Sequence, residues 1–298
     1  MQSTIKLEAE IGRRNTPDFA WPTLALAIGL WVGFVAVIAL ALEGGLPMAL
    51  AAAINTVIIY AIYTPLHDSI HSSIFPRRKE LRWVHTAVGM ACAALLWMFY
   101  HHHRKSHFAH HAKSNTAEDP DLYAMGSFTR VFFVKIPWTL LNYFNPIQLH
   151  RECLRFRLSD RERRLTMALF ALYAVTAIAV IAAGFGYEFL MLWVVPWFVG
   201  NLLMLTAFGW APHHDHSETG RYRDTRISLF PGADLLYLYQ NLHLVHHMLP
   251  SIPFYRYRVA LSELRPLLER NGARIEGFWP TSPSGRSGRA GPAPIGSA

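Results

Sequence analysis

Long apolar runs organise this chain, and they come in pairs. Trp21–Leu42 holds no charged residue from end to end, enough at about 1.5 Å per helical residue to cross the hydrocarbon of a bilayer. Residues 46–66 form a second run. Residues 165–185 and 189–210 form a third and fourth, separated only by Gly186, Tyr187 and Glu188. Each pair predicts a helical hairpin that returns to its starting side. Residues 83–100 are also apolar, but a full crossing there would put His71 and His107 on opposite membrane faces and an Arg-rich stretch outside. An interfacial or re-entrant helix is expected instead. Residues 131–144, interrupted by Lys135 and Pro137, predict another element lying in the membrane surface. The expected fold is an all-α integral membrane protein: four transmembrane helices in two hairpins, interfacial helices and a cytoplasmic cap.

Composition agrees with a membrane class and adds an orientation. The 298 residues are 52% hydrophobic and only 16% charged, too apolar and charge-poor for an ordinary soluble enzyme. All 28 Lys and Arg fall before Trp21, between His67 and Arg164, or after Trp210, while the turns 43–45 and 186–188 hold none. Because cytoplasmic loops carry the excess of basic residues, both termini and every histidine cluster are expected on the cytoplasmic side of a bacterial inner membrane. The net charge of +8 comes with no nucleic-acid motif, so anionic lipid headgroups are the expected counterpart. An acidic redox partner can use the same surface. Glu8, Glu10 and Asp18 leave no cleavable signal pattern, so the first span reads as an uncleaved anchor. Residues 280–298 are rich in Pro, Gly and Ser and predict a disordered tail behind a membrane domain of residues 1–279.

The chemistry lies in the histidines. Of sixteen, eight fall into three clusters with one helical spacing: His67 and His71; His107, His110 and His111; His243, His246 and His247. Residues three and four apart share a helix face, so each cluster can aim its imidazoles at one point. Two even hairpins bring all three clusters to the same membrane face. His213, directly after the fourth run, adds a ninth candidate ligand. Nine imidazoles are too many for one ion and suit two, with about three of a dozen octahedral positions left open. Open positions fit a catalytic site rather than a closed structural zinc. With only Cys92 and Cys153 in the chain, thiolate and iron–sulfur sites are excluded.

Asp68, Asp119, Asp121 and Asp215 are candidates for the outer groups that accept the second imidazole N–H and fix each ligand's tautomer. Asp68 and Asp215 are the two carried forward as site residues. Isolated His85 and His150 read as ordinary structural histidines. His101, His102, His103, His214 and His216 read as surface or outer residues. Transporter ion sites tend to sit near the bilayer midplane, whereas these histidines stand at the ends of spans or beyond them. A metal centre facing lipid suits an oily substrate with unactivated C–H bonds, which call for an oxygen-derived metal oxidant.

At these residues the chain resembles the membrane fatty-acid desaturase and hydroxylase superfamily, whose three histidine boxes correspond to HDSIH, HFAHH and HLVHH over residues 63–258. The resemblance implies a non-haem di-iron enzyme that uses dioxygen and two electrons from a separate donor. Its metal ligands would be His67, His71, His107, His110, His111, His243, His246 and His247, with His213 as the extra ligand. The stretch QNLHLVHHMLPSIPFY (240–255), with Pro212-His213 and EDPD (118–121), is similar to the desaturase-like carotenoid beta-ring hydroxylases. That likeness implies hydroxylation of beta-carotene at carbon 3 of its ring, giving zeaxanthin. The alternative enzyme is a fatty-acyl desaturase. The alternative of another class is a metal-transport or metal-storage membrane protein.

Rebound of hydroxyl after hydrogen removal would give an alcohol, and a second hydrogen removal an alkene, so substrate placement decides between the two outcomes. Trp193, Trp197, Phe198 and Phe208 are candidates to line a substrate path, or else to contact lipid or pack helices. With no haem-attachment motif, iron–sulfur cysteine set or glycine-rich nucleotide fingerprint, the electrons are expected from a ferredoxin-like or other donor.

Overall fold

The structure, a computed structural model, describes residues 2–215 and 217–278. His216 and the tail expected over 280–298 lie outside the described residues. In chain order, helix α1 (Gln2–Asn15) precedes a hairpin of α2 (Trp21–Leu42) and α3 (Met48–Ile70). Four shorter helices follow: α4 (Arg82–Leu95), α5 (Tyr100–Lys113), α6 (128–142) and α7 (Pro146–Arg155). A second hairpin joins α8 (Asp160–Ala182) to α9 (Gly186–His213). The final layer holds strand β1 (Arg226–Ser228), helices α10 (His243–Met248) and α11 (Tyr257–Arg270), and strand β2 (Arg274–Glu276).

α2, α3, α8 and α9 are long and apolar enough to cross a membrane. They differ in what surrounds them. α3 is 61% buried over its most apolar window and α8 only 6%, so α3 is the axis of the bundle and α8 its outer edge. Small residues allow this: Ala51, Ala52 and Ala61 of α3 are buried. On α9, a Cβ at Gly200 would stand 2.6 Å from Ile59 Cγ2 and 3.0 Å from the Thr56 carbonyl. Only glycine lets the two helices approach this closely. α9 contains π-helical turns at Leu190–Val194 and Leu205–Trp210, and buried Asn55 of α3 donates to the Leu192 carbonyl in the first of them at 2.8 Å.

The helices extend past the apolar runs at their polar ends. α3 continues to Ile70 and so carries His67 and Asp68. α8 begins at Asp160 because Ser159 and Glu162 form a reciprocal capping box, satisfying N–H groups that the first turn leaves unpaired.

The stretch 83–100 is a helix ending at Leu95, followed by a bend of 99° into α5. The bend buries non-helical backbone, and α9 satisfies it: Trp193 Nε1 donates to the Leu95 carbonyl at 3.4 Å and Trp197 Nε1 to the Leu96 carbonyl at 2.7 Å. Buried irregular backbone persists where protein supplies the partners. His71 and His107, on either side of this segment, are in contact, so the segment returns to the end of the bundle from which it leaves. The element expected over 131–144 is a helix over 128–142, through a π turn at Val131–Lys135.

The all-α expectation needs correction in the final layer. β1 and β2 pair in parallel with Arg226 opposite Arg274. Three-residue strands carry too little alternation to show in sequence. Arg226, almost fully buried, is held there by Glu276 at 2.7 Å. This layer has its own core of Ile11, Leu244, Met248, Leu261 and Leu264, and α1 is tied to α11 by Asn15 and Arg14 on Glu263.

Candidate metal centre

All nine histidines selected from sequence come together, at the end of the bundle where α3 and α9 finish. α3 supplies His67 and His71, α5 supplies His107, His110 and His111, α9 ends on His213, and α10 supplies His243, His246 and His247. They divide into two groups. His67, His71, His107, His111 and His246 each offer a nitrogen within 4.8 Å of the others, and so do His110, His213, His243 and His247. The groups adjoin, with the His111 and His247 rings 4.3 Å apart between centroids.

The nitrogen spacings are those of ligands around a common ion. Nε2 atoms face each other at 2.9 Å for His71 and His107, 3.1 Å for His107 and His111, 2.9 Å for His111 and His246, and 3.2 Å for His110 and His213. Two nitrogens at right angles, each about 2.1 Å from one metal, lie about 3.0 Å apart. Burial, then neighbouring imidazoles, holds His107, His243, His246 and His247 well below the usual histidine range. His111 is held down to about 3 by burial and then His110. These rings are therefore neutral, each carrying one nitrogen lone pair. His67 Nδ1, His243 Nδ1 and His247 Nε2 are buried with no hydrogen-bond partner. A donor set of this kind is satisfied by a cation, so the residues fit two metal ions.

Outer partners set which nitrogen faces inward. His110 Nδ1 donates to Asp119 Oδ1 at 2.8 Å and His247 Nδ1 to Asp224 Oδ2 at 3.2 Å. A carboxylate can only accept, so Nε2 is left as the lone pair. Burial presses His110 down, but Asp121, Asp119 and Asp224 outweigh it and raise its pKa. Burial pushes Asp224 up to about 6. In the other group, His246 Nδ1 pairs with the Tyr257 hydroxyl at 3.0 Å.

The outer carboxylates only partly follow the sequence reading. Asp119 lies on an imidazole, and Asp121 Oδ2 stands 3.6 Å from His110 Nδ1. Asp68 does not serve an imidazole: it accepts from Thr23 Oγ1 at 2.6 Å and from the Phe254 N–H at 3.2 Å, joining α2, α3 and the segment after box three. Adjacent residues on a helix point in different directions, so the neighbour of His67 need not face what His67 faces. Asp215 pairs with Arg274 at 3.2 Å and with His214 at 3.4 Å. Asp224 and Tyr257 went unread because nothing local marks them; their role exists only in the folded chain.

His101, His102, His103 and His214 join neither group. His101 lies 3.7 Å from Glu162, His103 faces the Tyr63 hydroxyl at 3.2 Å, and His102 packs on Phe156. Of the four aromatic path candidates, Trp193 and Trp197 hold the bend between α4 and α5, and Phe198 packs against the core. Phe208 borders a cavity of about 20 Å³ with Tyr63, Tyr123, His67, His110 and His243.

The family model described as fatty acid desaturase matches residues 43–279. Among curated proteins, the chain is 24% identical over 227 residues to an sn-1 oleoyl-lipid 12-desaturase of Anabaena variabilis, covering 67% of this chain and 63% of that protein. It is 26% identical over 224 residues to the protein of the same description from Synechocystis sp., with the same shares. It is 24% identical over 271 residues to an endoplasmic-reticulum omega-3 fatty acid desaturase of Nicotiana tabacum, covering 78% of this chain and 68% of that protein. The match thus spans under two thirds of the first two relatives.

Proposed function

This chain belongs to the fatty acid desaturase family, and from that premise we propose that it is a membrane oxidoreductase acting on the hydrocarbon part of a lipid with dioxygen and two electrons from a separate donor. The observation that carries the reading is the division of nine imidazoles into adjoining groups of five and four. His67, His71, His107, His111 and His246 would hold one iron; His110, His213, His243 and His247 would hold the other. A non-haem iron pair supplies the oxygen-derived oxidising power that an unactivated C–H bond requires.

The chain's own residues prepare the site. Asp119 and Asp224 fix the tautomers of His110 and His247, so the inward nitrogens of these two need no rearrangement to bind a cation. Tyr63, Met204, Leu205 and Phe208 wall the small cavity beside the imidazoles and limit the water that reaches it. The histidine end, reached by the basic loops, would face the cytoplasm of a bacterial inner membrane, within reach of a ferredoxin-like or other soluble donor.

The preferred substrate is a fatty-acyl chain of a membrane lipid, undergoing desaturation, because the relatives are described as acyl-lipid and fatty acid desaturases. A second reading, hydroxylation of a beta-ionone ring at carbon 3, is favoured by the sequence 240–255 around box three. Expression in a host that makes beta-carotene, with analysis of both lipid pools, decides between them. New acyl double bonds support the first and new polar xanthophylls the second; neither, from a chain loaded with two irons, removes both. Metal uptake without oxygen consumption in a reconstituted system would favour a transport or storage role.

A further inference from the structure

We propose that an apolar groove beside α9 is where the hydrocarbon of the substrate enters, and that Phe208 is the specificity-determining door between this groove and the metal cavity. This deepens the functional reading above and rests on it. The groove has a volume of about 820 Å³ and is lined by Val57 and Ala61 of α3, Phe132 of α6, Leu203 and Ala207 of α9, and Leu236. Small-molecule sites commonly run to about 300–1,000 Å³.

Four polar groups along the groove are already spent on the protein's backbone. Thr56 Oγ1 donates to Ala52 at 2.8 Å, Thr206 Oγ1 to Leu202 at 2.7 Å, Tyr60 to Leu236 at 2.8 Å and Trp210 Nε1 to Gly126 at 2.9 Å. An occupant gains no hydrogen bond from these four, and a polar one would lose those it makes to water. The occupant that fits is a hydrocarbon chain. Leu235 and Leu236, 81% and 54% exposed, give the groove an apolar rim suited to lipid.

One π-helical turn separates the groove from the metal cavity. Within Leu205–Trp210, Leu205, Phe208 and Gly209 border the cavity while Thr206, Ala207 and Trp210 border the groove. Such turns insert an extra residue and recur at functional sites. The partition is thin because Gly209 has no side chain: a Cβ there would lie 3.1 Å from the Tyr123 hydroxyl. The Phe208 ring stands between Tyr60 of the groove wall, 5.1 Å between centroids, and Tyr63 of the cavity wall, 5.8 Å away. Beyond it the cavity of about 20 Å³ has room for about one water. A substrate carbon therefore reaches the imidazoles from this side only when the Phe208 ring gives way.

The test uses the full chain in lipid nanodiscs with a nitroxide-bearing methyl stearate read by electron paramagnetic resonance. Val57→Trp and Ala207→Trp fill the groove from opposite walls; Val175→Trp, on the outward face of α8, is the control. Both groove variants are expected to lose most of the immobilised signal and their lipid turnover while keeping wild-type metal content, and the control to keep all three. Phe208→Ala is expected to keep the immobilised signal and to raise turnover of ring-ended chains relative to straight ones by about tenfold. Unchanged immobilisation in both groove variants overturns the proposal, as does lost immobilisation with intact turnover. An unchanged substrate preference in Phe208→Ala overturns the door. A wild-type chain that turns over no lipid yet binds the probe in a Val57- and Ala207-dependent way overturns the functional reading and leaves the groove supported.

Discussion

The two histidine groups share a residue type but not a setting. In the four-nitrogen group, carboxylates stand directly behind two members, Asp119 on His110 and Asp224 on His247. In the five-nitrogen group, among the described residues, no member hydrogen-bonds a carboxylate; His246 leans on the Tyr257 phenol. A carboxylate behind an imidazole raises its basicity and fixes its orientation, and a neutral phenol does less of the first. The two ions are therefore expected to differ: the site with fewer imidazoles compensates with anionic support, and the site with more depends on number.

Ligand removal should break this comparison most strongly. His247→Ala is expected to empty the four-nitrogen position and abolish turnover while the five-nitrogen group keeps its ion, as measured by metal content per chain. Asp119→Asn comes next, with an expected loss of about 10–100-fold in affinity at the four-nitrogen position, read by chelator competition. Asp224→Asn should fall at the lower end of that range, since its contact is 3.2 Å against 2.8 Å for Asp119. Tyr257→Phe is expected to weaken only the five-nitrogen position, by less than about tenfold. If all three substitutions act equally on both ions, the asymmetry is wrong.

Asp68→Asn sharpens the comparison from the other side. Its carboxylate touches Thr23 and Phe254 and no imidazole, so metal content should stay at the wild-type value. The loss of a buried hydrogen-bond acceptor should cost about 1–3 kcal/mol of stability, visible as a lower thermal midpoint. Metal loss without destabilisation would restore Asp68 to the outer support of the ions.

The nine imidazoles were legible in the sequence because their information is short-ranged. His107, His110 and His111 share a helix face whatever the rest of the chain does, and the paired apolar runs bring distant boxes to one end by parity. Span positions were legible for the same reason, although α3 and α8 run further into polar sequence than hydropathy alone shows. What sequence did not reveal depends on tertiary contact. Tyr257 reaches His246 only because α11 folds back over α10, and Asp224 reaches His247 from a loop. Asp68 was misassigned by proximity along the chain. The π turn at 205–210 has no local signature, yet it puts Phe208 and Ala207 on opposite sides of one wall.

The most direct test of the central claim is a crystallographic or cryo-EM structure of the iron-loaded protein, with the metal positions established by anomalous scattering or by density. Two ions are expected, one bonded to His67, His71, His107, His111 and His246 and the other to His110, His213, His243 and His247. A single ion shared by both groups, or metal bound outside these nine imidazoles, would contradict it.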